Sequence, residues 1–122
     1  MHKPVVIKEE SNIKIQLLED INNLKKESKS IAVITKDDEE AEFLYRQLKD
    51  ELDIHLLDSN SKKFNRDLVI VPAYISKGLE FDSVIVYTKK ANQFKKEEKY
   101  LYYVACTRAQ HQLIIYNQIL SL

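Results

Sequence analysis

Glycine is nearly missing from this sequence: a single one, Gly78, stands in 122 residues, where average usage of about 7% would supply eight or nine. A phosphate-cradling loop of the form G-x-x-x-x-G-K-[S/T] needs two glycines and is therefore excluded. The lone glycine marks a place where the backbone or its surroundings do not tolerate a Cβ. Cysteine is as scarce. One residue, Cys106, cannot form an internal disulfide, which fits a reducing cytoplasm, and a lone thiol reads first as a small buried hydrophobe. No apolar run approaches the roughly 20 residues that cross a bilayer, so no membrane is expected as a partner. Val5-Val6-Ile7 near the N-terminus is too short for the core of a signal peptide. An excess of one charge is lacking too. Nineteen basic residues balance nineteen acidic ones, so the dense basic surface of a protein living by phosphate contacts is absent, and any nucleic-acid contact must be local.

What the sequence does contain is an alternation of short apolar runs and amphipathic stretches. Ile13, Leu17, Ile21 and Leu24 recur at helical spacing, which predicts a helix ending near Lys29. Ile31-Ala32-Val33-Ile34, Leu68-Val69-Ile70-Val71 and Val84-Ile85-Val86-Tyr87 lack polar alternation and read as strands buried on both faces. Val5 to Ile7, Ile54 to Leu57 and His111 to Tyr116 supply further short strands. Asp37 and Glu40 offer an N-cap and its reciprocal partner, opening a helix with Ala41, Leu44 and Leu48 inward. A further helix is expected from about Phe94 to Arg108. Strands and helices in alternation predict a three-layer α/β domain with a mainly parallel sheet. The three histidines have no second ligand at metal spacing, so no metal site is indicated.

Two segments concentrate chemistry. Pro72 stops the Leu68–Val71 strand, and the residues from Ala73 to Asp82 bring Ser76, Lys77, Gly78, Glu80 and Asp82 together where ligands of open α/β sheets gather, at a strand's carboxyl end. A plain turn, with Lys77 solvated, Gly78 at positive φ and Asp82 capping the next element, accounts for the same residues. In the second segment Leu101, Val104, Ala105 and Arg108 fall on one inward helical stripe. An unpaired guanidinium at the end of such a stripe is costly. Arg108 therefore either satisfies the last helical carbonyls or reaches a phosphate offered by another surface.

Ser76-Lys77-Gly78-Leu79-Glu80-Phe81-Asp82 resembles motif V of the UvrD/Rep-type superfamily 1 helicases, and Tyr103-Val104-Ala105-Cys106-Thr107-Arg108-Ala109, with Glu97-Glu98 upstream, resembles their motif VI. Their order and their spacing across an apolar strand make the pair specific. The Tyr74-x-x-Lys77-Gly78 wording is most similar to the HelD-like, helicase IV-like branch. The resemblance implies that residues 1–122 form the second RecA-like domain of a helicase, with motif V at about 74–82 and motif VI at about 97–109. It implies that Arg108 contacts the γ-phosphate of ATP, that Glu80 meets the ribose, and that Gly78 allows close approach of the backbone. Tyr74, Ser76 and Lys77 would lie near single-stranded DNA, and Glu98 and Thr107 would support the site. Tyr74 stands where UvrD itself has histidine, and Lys99-Tyr100 replaces the usual arginine pair.

The missing phosphate loop, and the lack of an acidic pair closing a strand, set a further expectation. ATP and its Mg²⁺ would be held by an N-terminal RecA-like domain of the same polypeptide, and these residues alone would hydrolyse nothing. Two other readings stand beside this one. HelD-like relatives act on RNA polymerase, which makes that enzyme a candidate partner. A phospho-receiver domain would instead use Asp37, Asp38, Asp58, Thr88 and Lys89.

Overall fold

A computed structural model of the chain describes residues 5–8, 13–57, 67–76, 78–87 and 107–116. The elements in order are β1 (Val5–Lys8), α1 (Ile13–Leu24), β2 (Ile31–Thr35), α2 (Asp38–Leu48), β3 (His55–Leu56), β4 (Leu68–Pro72), α3 (Ala73–Ser76), β5 (Phe81–Tyr87) and β6 (Ala109–Tyr116). The six strands form one sheet in the order β1-β6-β5-β2-β4-β3, and every pairing is parallel. The molecule is thus the mixed α/β domain with a parallel central sheet that the alternation of elements predicts.

Side chains of a strand point alternately to its two faces, so uniformly apolar strands build two cores. Ile31, Val33, Leu68, Ile70 and Ile85 pack with Leu17, Ile21 and Leu24 of α1 and Ala41, Leu44 and Leu48 of α2. On the opposite face Ala32, Ile34, Val69, Val71, Val84 and Val86 meet Ala73, Phe81 and Leu113. All five residues of β2 and of β4 are buried. Each fully buried Val, Leu or Ile contributes roughly 1.5–3 kcal/mol against the entropy of ordering the chain. Of the helix read from about Phe94 to Arg108, residues 94–106 lie outside the described residues.

Local chemistry starts α2 as its sequence suggests. The Asp37 carboxylate accepts from the Glu40 N–H at 2.9 Å, and the Glu40 carboxylate reaches back to the Lys36 N–H at 3.1 Å. The return bond lands one residue earlier than in a standard capping box, on Lys36 rather than on the extended cap residue Asp37.

Several boundaries differ from the sequence reading. Helix α1 stops at Leu24 rather than near Lys29, because the following residues are drawn away by β5. The Ser28 hydroxyl meets the Ser83 hydroxyl at 2.6 Å, and the Lys29 N–H donates to Asp82 at 2.8 Å. The strand at Ile54–Leu57 narrows to His55–Leu56. Strand β4 includes Pro72, which pairs with Thr35. Strand β6 begins two residues before His111, at Ala109. Thr107 and Arg108 form a turn, so the expected helix does not run through Arg108. The Arg108 carbonyl instead accepts from the Phe81 N–H at 3.0 Å, which starts the β5–β6 ladder.

Candidate functional site

Because β5 runs parallel to β4, it must begin at the edge of the sheet where β4 begins. The residues between them therefore leave the carboxyl edge at Pro72 and return to the amino edge before Phe81. The register fixes this: Pro72 and Tyr87 both align with Thr35 at the end of β2, and Ser83 aligns with Ile31 at its start. The motif V segment is thus divided. Tyr74 and Ser76 follow the carboxyl end of β4, whereas Glu80 and Asp82 sit at the amino end of β5. The expectation that these residues share one strand's carboxyl end is corrected accordingly.

At the amino edge, Glu80 and Arg108 are neighbours despite lying 28 positions apart in the sequence. The Phe81–Arg108 backbone bond draws the two turns together. The Arg108 guanidinium donates to the Leu79 carbonyl at 3.4 Å and to the Thr107 hydroxyl at 3.0 Å. Glu80 and Thr107 are exposed, and Arg108 is half-buried. Gln110, which the sequence reading did not single out, donates its side-chain N–H to the Glu80 carboxylate. A bulge adjoins this contact. Phe81 pairs with Ala109 but Ser83 pairs with Gln112, so β6 carries one extra residue opposite Asp82. No sequence pattern announces such a bulge.

Gly78 adopts φ +87°, a left-handed value that costs an L-residue about 1–2 kcal/mol. An added Cβ would meet nothing within 4 Å. The glycine is therefore required by the backbone angle, and close packing at this point is not the reason. The turn is closed by the Leu79 N–H donating to the Ser76 carbonyl at 2.9 Å.

At the carboxyl edge Tyr74 is exposed, and its hydroxyl donates to the Asp38 carboxylate at 2.7 Å. Asp38 opens α2 together with Glu39 and Glu40, so the tyrosine lies beside an acidic turn. Ser76 is fully buried, with its hydroxyl donating to the Ala73 carbonyl at 2.7 Å. Beneath this edge the buried Tyr87 phenol is pushed up to about 12, by burial first and by the Glu40 charge second. Lys77 and Glu98 lie outside the described residues. So do Asp58, Thr88 and Lys89 of the receiver reading, whereas Asp37 is engaged as the cap of α2.

Asp82 plays the structural part that its turn position suggests. It accepts from the N–H groups of Lys29 and Ser30, at 2.8 and 3.3 Å, and its own N–H donates to the Ser30 hydroxyl at 2.9 Å. These bonds tie the start of β5 to the start of β2. Among the described residues no group of three His, Cys, Asp or Glu side chains could hold a metal ion, and no helix is long and apolar enough to cross a membrane.

No curated protein matches the chain significantly. Among solved structures it is similar to the C-terminal domain of a possible DNA helicase from Lactobacillus plantarum WCFS1. The two are 28% identical with a TM-score of 0.71, over 95% of this chain and 73% of that one. The model of the UvrD-like helicase C-terminal domain family matches residues 52–118, more than half of the chain and both edges of the site. The chain belongs to the UvrD-like helicase C-terminal domain family.

Proposed function

We propose that this domain completes the ATP site of a DNA helicase by presenting Arg108 and Glu80 to nucleotide held by an N-terminal RecA-like domain. The observation that supports this most is the convergence of Glu80 and Arg108, from separate motifs, on adjacent strand ends at the amino edge. Phosphoryl transfer needs little covalent help from the protein. Its rate depends on position and on neutralising the charge that spreads over the transferred group. A guanidinium offers five N–H donors in a rigid fork suited to phosphate oxygens. Arg108 would exchange its contacts with Leu79 and Thr107 for charge-assisted bonds to the γ-phosphate. Glu80 would accept from the ribose, Thr107 would steady the guanidinium, and Gly78 would set the turn between the two edges. The residues present supply no phosphate cradle, so Mg²⁺ and the triphosphate would be bound by the partner domain.

The opposite edge would face single-stranded DNA. Tyr74 is exposed there, and the acidic turn beside it gives phosphates no attraction. Its contribution would be stacking of a base on the ring, worth about 1–3 kcal/mol. Lys77 would add a backbone contact, with buried Ser76 holding the turn from below. The spelling around Tyr74 further supports kinship with the HelD-like branch, for which release of RNA polymerase by the intact protein is the corresponding assay.

Steady-state ATPase of the intact helicase separates the roles of the two residues. Glu80→Ala should raise KM about tenfold while changing kcat little, because a ribose contact persists from ground state to transition state. Arg108→Ala should act mainly on kcat. Equal effects of the two variants on kcat alone would count against a ribose role for Glu80.

A further inference from the structure

Three features lie outside the roles above. The cleft between Lys25, Ser28, Lys29, Asp53 and Asp67 carries as many acidic as basic groups and favours no ligand class. Exposed Ile15 on α1 is one aliphatic side chain and, among the described residues, joins no exposed apolar patch. The contact between Gln110 and Glu80 carries further.

We propose that Gln110 is a positioning residue that orients Glu80 toward the sugar of the nucleotide, so that the pair distinguishes ribonucleotides from deoxyribonucleotides. This inference rests on the reading of Glu80 given above. An exposed glutamate has several rotamers of similar energy, and ordering such a side chain costs up to about 1.5–2 kcal/mol. A carboxylate that is to accept from one particular hydroxyl benefits from being held before the nucleotide arrives. Gln110 does this with a neutral donor: its amide N–H occupies Oε2 of Glu80 and leaves Oε1 to accept from the sugar. A lysine in its place would pair with the carboxylate as a mobile point charge, whereas the planar amide fixes a direction. Gln110 lies in the bulge of β6, within the stretch that stands opposite Asp82. The glutamine belongs to the strand that follows Arg108, so one short segment carries both the phosphate-directed and the sugar-directed device.

The test uses the intact helicase with ATP, 2′-deoxy-ATP and 3′-deoxy-ATP as substrates. For the deoxy nucleotide lacking the contacted hydroxyl, Gln110→Ala should lower the ratio of its kcat/KM preference, ATP over deoxy, by about three- to tenfold. That range corresponds to the loss of one hydrogen bond's net contribution. Most of the change should appear in KM. A purely structural role for Gln110 would lower kcat/KM for all three nucleotides equally and leave the ratio unchanged, and that result would overturn the proposal. Glu80→Gln serves as the separate arm. If it leaves the ratio unchanged, the ribose reading of Glu80 fails. If it collapses the ratio and Gln110→Ala does not, only the positioning role fails.

Discussion

Gly78 carries two readings from the sequence, a positive-φ turn residue and a point of close backbone approach, which its surroundings separate. The turn reading places it at positive φ, and with open space around it the φ of +87° is what selects glycine. Gly78→Ala should therefore cost about 1–2 kcal/mol, measurable as a lower urea midpoint. Gly78→Asn should cost less, since asparagine visits this region more readily. Tyr87 gives a second residue-level test. Its pKa rises from 10.0 to about 12 because burial and the Glu40 charge both disfavour the phenolate. The folded protein thus holds this proton more tightly than the unfolded chain does. The stabilisation is complete below about pH 10 and is lost as pH climbs toward about 12. Between about pH 9 and 11, Tyr87→Phe should lose less stability than wild type in paired denaturation curves. Parallel losses would mean that the phenol is not held protonated by the fold.

At the scale of elements, the strands were the most legible part of the sequence. Ile31 to Ile34 and Leu68 to Val71 are apolar on both faces because helices or turns cover both sides, and local pattern alone conveys that. The cap of α2 was legible for the same reason, since Asp37 and Glu40 act within one turn. Boundaries set by distant residues were not. The end of α1 is decided by Asp82 and Ser83, more than fifty residues away, and the start of β6 by a backbone bond from Phe81. Asp82 is the clearest instance, a turn residue in sequence and a staple between β2 and β5 in space. Asp82→Ala leaves two N–H groups without their acceptor and should destabilise the domain by about 1.5–3 kcal/mol. Asp82→Asn, which keeps a carbonyl acceptor, should retain part of that stability. Equal midpoints for both variants and wild type in thermal denaturation would show that the staple contributes nothing.

For the whole molecule, the proposed function assigns a separate task to each edge of the parallel sheet. The sequence named Tyr74, Gly78, Glu80 and Arg108, but it presented motif V as one loop at one edge. Only the strand order shows that the segment crosses the sheet, because direction of pairing is a property of two strands and cannot be read from either alone. The same order brings Glu80 beside Arg108 and Gln110, and Tyr74 beside Asp38. Such an arrangement suits a motor half, with one edge directed to a nucleotide and the other to a strand of DNA, linked by the eight residues from Ala73 to Glu80.

The central claim is that Arg108 stabilises charge on phosphate held by another domain. The most direct measurement is the single-turnover rate of ATP hydrolysis by the intact, DNA-bound helicase carrying Arg108→Ala. The account predicts a fall of about a thousandfold or more, with only partial recovery in Arg108→Lys, which restores the charge without the planar fork. A rate within about threefold of wild type, in a variant whose thermal midpoint shows it to be folded, would contradict it.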